Sequence, residues 1–200
     1  MDIAGVKEYL GTEWTAVQGR IAGSLESDID LLDQTNKSIL SHSGKQLRPI
    51  LALLSARACS ADGRASEATV RYAAAAELLH NATLLHDDVA DDSDQRRGVP
   101  TIRSIMGPTV SVLLGDYWLV KAMELILGDH DADSQVIRIF SKTLSDLAEG
   151  ELLQLQKAQS GDTVEEDYLR IIYSKTASLL RLRVCLRLCQ WVRPRMPLRL

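Results

Sequence analysis

Apolar residues recur every three to four positions along most of this chain. Nowhere do they alternate for long enough to suggest a strand. The spacing predicts helices near residues 3–20 and 23–41. A polar loop, Ser41-His42-Ser43-Gly44-Lys45, precedes a segment opening at Arg48-Pro49, and Pro49 suits the first turn of a helix. That helix is predicted to reach about Cys59 and to stop at Ala61-Asp62-Gly63. Residues 66–92 predict a long Ala-rich helix with Ser66 as its N-cap. Gly98-Val99-Pro100 breaks the chain, with Arg96-Arg97 in the loop just before it. Pro108 opens a helix over about 108–127, and Gly128-Asp129-His130-Asp131 is a turn. Helices near 134–158 and 163–180 follow, the second with Thr163 as its expected N-cap. The fold class expected is all-α.

Composition agrees with this pattern and adds one asymmetry. The 200 residues suffice for one domain with a sizeable core, and 4% aromatics with few glycines and prolines favour helices over strands. The formal net charge of -4 gives no reason to expect a nucleic-acid partner. Six of the 23 basic residues fall in 181–200, which has no acid, so 1–180 holds 17 basic residues against all 27 acidic ones. The tail is therefore set apart as 180–200, and the main domain as 1–179. Cys59, Cys185 and Cys189 form neither a disulfide framework nor a zinc pattern, so reduced thiols in a cytoplasmic protein are expected. The N-terminus has no signal-peptide pattern, and no uncharged run is long enough to span a bilayer.

The candidate chemistry sits at the end of the long helix. Asp87 and Asp91 are four apart and share a helical face, with Asp88 beside them. Carboxylates packed near a helix C-terminus repel one another and oppose the helix dipole, so a cation should offset the cost. Hard oxygen ligands select Mg²⁺ or Mn²⁺ rather than zinc, and Mg²⁺ typically binds one or two carboxylates together with substrate phosphates. Arg96 and Arg97 follow closely and match phosphate oxygens. His80 lies two turns before Asp87, roughly 10 Å up the helix. Lys45 and Arg48 stand at another helix start, where an anion is favoured.

Together these residues resemble the trans-prenyl diphosphate synthase family. The likeness runs through Gly44-Lys45-Gln46-Leu47-Arg48-Pro49, Glu77 to Asp91, and Arg96-Arg97-Gly98-Val99-Pro100-Thr101. It continues more weakly through Gly115-Asp116 and Glu149-Gly150-Glu151 to Lys175-Thr176-Ala177-Ser178. The resemblance implies a helical bundle and addition of isopentenyl diphosphate to an allylic diphosphate, giving a medium- or long-chain all-trans product. It implies Mg²⁺ as cofactor, held by Asp87, Asp88 and Asp91. By position, Arg96 corresponds to the arginine on the allylic diphosphate. Lys45, Arg48, His80 and Arg97 correspond to the isopentenyl diphosphate site. Lys175 and Thr176 correspond to the pair beside the leaving group, and Ala82 and Thr83 to chain-length positions. Gln46 stands where the family often has arginine. The family is typically homodimeric, and the apolar helix 108–127 is the expected interface.

The family's second aspartate-rich motif, expected beyond Lys175-Thr176, is not found in these 200 residues. The expectation is a C-terminally truncated synthase with impaired activity, or a non-catalytic or regulatory subunit that pairs with a complete synthase. A terpene cyclase or head-to-head synthase fits less well, because a cyclase holds one diphosphate and these residues imply two.

Overall fold

The structure, a computed structural model, describes residues 2–42, 44–128 and 134–178. It divides into two compact units, Met1–Gly128 and Asp129–Leu200. The described residues are overwhelmingly helical, as the apolar periodicity requires. The residues assigned above to a basic tail, 180–200, and the side chain of Thr176 lie outside the described residues.

The first unit contains α1 (Ile3–Leu10), α2 (Thr12–Ser24), α3 (Asp30–Ser41), α4 (Leu47–Cys59) and α5 (Glu67–Ala90). A two-stranded hairpin, β1 (Gln95–Arg96) and β2 (Val99–Pro100), leads to α6 (Ile102–Met106) and α7 (Pro108–Leu127). The single helix expected over 3–20 is two helices. Gly11 adopts φ +53°, and its backbone N–H closes the end of α1 on the carbonyls of Lys7 and Glu8. The helix expected from residue 23 begins at Asp30, because α2 runs on to Ser24 and the Ile29 N–H is taken by the Ser27 hydroxyl.

Helix α5 is the centre of this unit, against α2, α4 and α7. Its Ala73-Ala74-Ala75-Ala76 run is fully buried, so α5 meets its neighbours on nearly all sides. Ser66 caps it, accepting from the Thr69 N–H at 3.2 Å. The Ser111 hydroxyl of α7 donates to the Leu85 carbonyl of α5 at 2.8 Å. Away from α5, the fully buried Trp118 indole donates to Asn36 Oδ1 at 2.8 Å, and Asn36 Nδ2 donates to the Leu25 carbonyl at 2.8 Å. That relay ties α7, α3 and the end of α2 through one buried amide.

The second unit contains α8 (Ser134–Ser160), α9 (Glu165–Ile172) and a π-helical turn, Tyr173–Ala177. The N-cap position of α9 is Val164 rather than Thr163, and the Val164 N–H donates to Asp167 Oδ2 at 3.4 Å. The π turn packs against α8 and α9. At Gly150 the approach is so close that an added Cβ would lie 2.6 Å from Ser174 Cβ.

Candidate functional site

The three aspartates at the end of α5 stand in different surroundings. Asp87 and Asp91 are one turn apart, and the Asp91 N–H, at the C-cap, donates to the Asp87 carbonyl at 2.8 Å. Asp91 is exposed and Asp87 half-buried. Asp88 is 5% exposed. Its Oδ1 accepts a 2.8 Å hydrogen bond from Arg96 Nε, a charge-assisted contact that compensates its burial. Among the described residues, no group of three or more His, Cys, Asp or Glu side chains converges as a metal cage. The one- or two-carboxylate mode by which Mg²⁺ joins a protein to phosphate oxygens does not require such a cage.

The hairpin after α5 separates the two arginines. Arg96 pairs with Val99 across the strands, leaving Arg97 and Gly98 as a two-residue turn with φ +55° and +80°. Positive φ at both central residues is the geometry of a type I′ turn, which suits the twist of a tight hairpin. Arg96 engages Asp88 on α5. Arg97 reaches instead to the loop before α4, where its guanidinium fills the space a side chain on Gly44 would need. Gly44 itself has φ +68°.

Arg48, in the first turn of α4, is near Arg97 and Glu77. Its Nε is buried and has no hydrogen-bond partner among the described residues. Burial pushes the Arg48 guanidinium below its ordinary pKa; Glu77 opposes that push and Arg97 adds to it. Lys45 is exposed in the same loop. Gln46 is buried with left-handed backbone, φ 52° and ψ 46°, and its amide donates to Gln18 Oε1 at 3.3 Å. Position 46 thus carries a neutral amide turned toward α2.

His80 is 9% exposed on α5. Thr83 is half-buried four residues before Asp87, and its hydroxyl donates back to the His80 carbonyl at 2.8 Å. Ala82 is 1% exposed, five residues before Asp87 and so about 140° round the helix from it. A cavity of about 150 Å³ opens beside Asp88, Arg96 and Arg97, with Ile39, Leu84 and Ile105 among its apolar walls. In the second unit, Lys175 Nζ donates to Gln154 Oε1 at 2.9 Å and pairs with Glu151 Oε1 at 2.5 Å.

Two supports have little signal in the sequence. Arg103 of α6 bonds both Asp92 and Asp94, the latter at 2.7 Å, fastening the segment after α5. The His86 ring lies directly over Gly115 of α7, with Nε2 3.2 Å from Asp116 Oδ1 and 3.3 Å from the Val112 carbonyl. The Gly115-Asp116 dipeptide marked this place weakly, and Arg103 was indistinguishable from any surface arginine.

The geometry invites comparison with known proteins. A family model described as polyprenyl synthetase matches residues 29–191. Octaprenyl diphosphate synthase of Escherichia coli K12 is 40% identical over 179 residues, covering 90% of this chain and 54% of that protein. A decaprenyl diphosphate synthase from Rhodobacter capsulatus superposes with a TM-score of 0.85 at 34% identity, over 96% of this chain and 58% of that one. A Caulobacter crescentus polyprenyl synthase, solved with calcium and isoprenyl diphosphate, has a TM-score of 0.84 at 31% identity, over 93% of this chain and 55% of that one. The chain thus spans about half the length of the curated relatives it matches. With the matched region covering most of its residues, the chain belongs to the polyprenyl synthetase family.

Proposed function

We propose that this chain serves prenyl transfer, the addition of isopentenyl diphosphate to an allylic diphosphate to make a medium- or long-chain all-trans polyprenyl diphosphate. The observation that carries the reading is the sorting of two adjacent arginines. One hairpin directs Arg96 to Asp88 of α5 and Arg97 to the loop before α4, where Arg48 Nε is buried without a hydrogen-bond partner among the described residues. Two separate cationic places suit two diphosphates. An anion beside Arg48 would give its buried Nε a hydrogen-bond acceptor in addition to the counter-charge of Glu77.

In this reading Asp87, Asp88 and Asp91 are the carboxylates for Mg²⁺ and Arg96 meets the allylic diphosphate. Magnesium, when bound, neutralises charge on the departing diphosphate. Lys45, Arg48, His80 and Arg97 hold isopentenyl diphosphate. Breaking the allylic C–O bond leaves a carbocation and diphosphate. The double bond of isopentenyl diphosphate forms the new C–C bond, and the proton then lost passes to the released diphosphate. Lys175 and Thr176 are assigned to the leaving group by family resemblance, and Thr83 and Ala82 to chain length. Thr83 is the better placed of the two, since it shares the Asp87 face while Ala82 packs in the core.

Homodimerisation through α7 belongs to the same proposal. Leu113, Val120 and Leu127 are exposed at seven-residue intervals with Met123 alongside, an apolar stripe suited to a second copy. No helix of the described residues is long and apolar enough to cross a membrane. The cysteine usage suits a reducing, cytoplasmic setting.

The test is a prenyltransfer assay with radiolabelled isopentenyl diphosphate, Mg²⁺, and geranyl or farnesyl diphosphate as primer. Labelled product of defined length, lost in Asp87→Asn, supports the reading. Product that forms only when a complete synthase is added would make the chain a regulatory or structural subunit. No binding of either diphosphate would refute the reading.

A further inference from the structure

The residue just before Asp87 is tied to a different helix. We propose that His86 is a positioning residue for the aspartate motif: docked on Gly115 of α7, it fixes the rotation of the last turns of α5 and so where the carboxylates stand. This rests on the proposed function and adds to it a residue that acts through the helix rather than on a ligand.

Two consecutive residues of α5 are held by α7. The fully buried Ser111 hydroxyl donates to the Leu85 carbonyl at 2.8 Å. At the next residue the His86 ring crosses to α7, where Nε2 stands 3.3 Å from the Val112 carbonyl and 3.2 Å from Asp116 Oδ1. Both neighbours are acceptors, so Nε2 carries a hydrogen, and a neutral ring suffices for the contact. The Asp116 side chain is 62% exposed, so its charge is screened and adds little. The carbonyl and the surface beneath the ring do the holding.

That surface is Gly115. A Cβ built there would lie within 3.0 Å of Nε2, Cδ2 and Cε1 of the ring. Glycine is a poor residue for a helix interior, yet α7 carries one where the imidazole lies against its backbone. Ser111, Val112, Gly115 and Asp116 follow one another at helical spacing, so a single face of α7 makes all these contacts. The consequence for the site is geometric. A side-chain carboxylate stands about 5 Å from its helix axis, so a rotation of roughly 10° carries it about 1 Å. Mg²⁺ demands near-ideal geometry at short oxygen distances, and a displacement of that size is felt. A lock on His86 acts on Asp87 directly and on Asp88 and Asp91 through the same turn of helix.

The experiment follows binding of inorganic diphosphate to the full chain by calorimetry at a series of Mg²⁺ concentrations, with the melting temperature of each variant measured alongside. His86→Leu fills the space over Gly115 but offers no N–H. It should raise the Mg²⁺ concentration for half-maximal diphosphate binding about tenfold, the lower end of what outer partners of a metal site cost. His86→Gln restores a side-chain N–H at similar reach and should return that concentration to within about twofold of the parent. The two variants should melt within about 3 °C of each other, so that a difference in Mg²⁺ requirement reports position rather than stability. Gly115→Ala expels the ring and should act as His86→Leu does. His86→Ala combined with Gly115→Ala should be no worse than His86→Ala alone, because the clashing ring is gone. An unchanged Mg²⁺ requirement in His86→Leu, an equal rise in His86→Gln, or additive losses in the double variant would each overturn this assignment alone. Absence of diphosphate binding in the unsubstituted chain would overturn the proposed function and this assignment together.

Discussion

Replacing Gly150 with alanine tests how closely α8 and the π turn must approach to hold Lys175. The new Cβ would stand 2.6 Å from Ser174 Cβ, whereas apolar carbons rest at about 3.5–4.0 Å. The two segments must therefore separate by roughly 1 Å, because Ser174 Cβ is fixed to its backbone and cannot swing aside. Ser174 is 6% exposed, so no solvent gap absorbs the shift. Overpacking of this kind costs about 2–3 kcal/mol, the upper part of the usual range. Alanine returns about 1 kcal/mol through its better helix propensity. The net loss is about 1–2 kcal/mol, or roughly 2–8 °C in Tm for a chain of this size. Lys175 should lose its hold on Gln154 and Glu151 as the segments part. Differential scanning calorimetry of Gly150→Ala, Ser174→Gly and the double variant measures this directly. Removing Ser174 Cβ relieves the clash, so the double variant should show a coupling of about 1 kcal/mol or more in favour of the pair. A Gly150→Ala protein that melts higher than its parent, or a double variant with no coupling, would refute the close-packing argument.

Further outcomes follow from other contacts. Asn36→Ala strands the Trp118 indole N–H and the Leu25 carbonyl in the core, so unfolding free energy should fall by about 2–4 kcal/mol in urea titration; a loss below about 0.5 kcal/mol would mean the relay carries no weight. Gly44→Ala must place an L-residue at φ +68° and displace the Arg97 guanidinium, so it should lose about 1 kcal/mol of stability and, under the proposed function, weaken isopentenyl diphosphate binding in calorimetry. Asp167 is held below the usual carboxylate pKa first by its hydrogen bond from Lys157. A depressed folded pKa contributes stability above the unfolded value of about 3.9 and loses it as pH falls through the lower folded value. Lys157→Met should therefore lower the urea midpoint near neutrality, and the difference should vanish in acid; a pH-independent difference would assign the effect to packing.

Much of the architecture was legible because helices are local objects. The 3.6-residue periodicity, Ser66 at the start of α5 and Pro108 at the start of α7 are contained within a few neighbouring residues, and the structure bears them out. The exceptions were equally physical. The split at Gly11 depends on one glycine taking positive φ inside an otherwise continuous apolar pattern. The hairpin escaped notice because its strands are two residues long and its first turn position is Arg97, a residue that seldom adopts positive φ. The π turn at 173–177 has no periodic signature distinct from that of α9.

By itself the sequence determined the helical class, the shared face of Asp87 and Asp91, the positive charge of the loop before α4, and the family resemblance. These follow from residue identity and spacing along one element. Tertiary structure alone decided that Asp88 is buried against Arg96, that Arg96 and Arg97 go to different places, and that Gly115 and Gly150 lie beneath His86 and Ser174. Burial and ion pairing depend on which elements become neighbours in space. A carboxylate's environment is set by the group packed against it, and that group lies beyond the reach of any helical period.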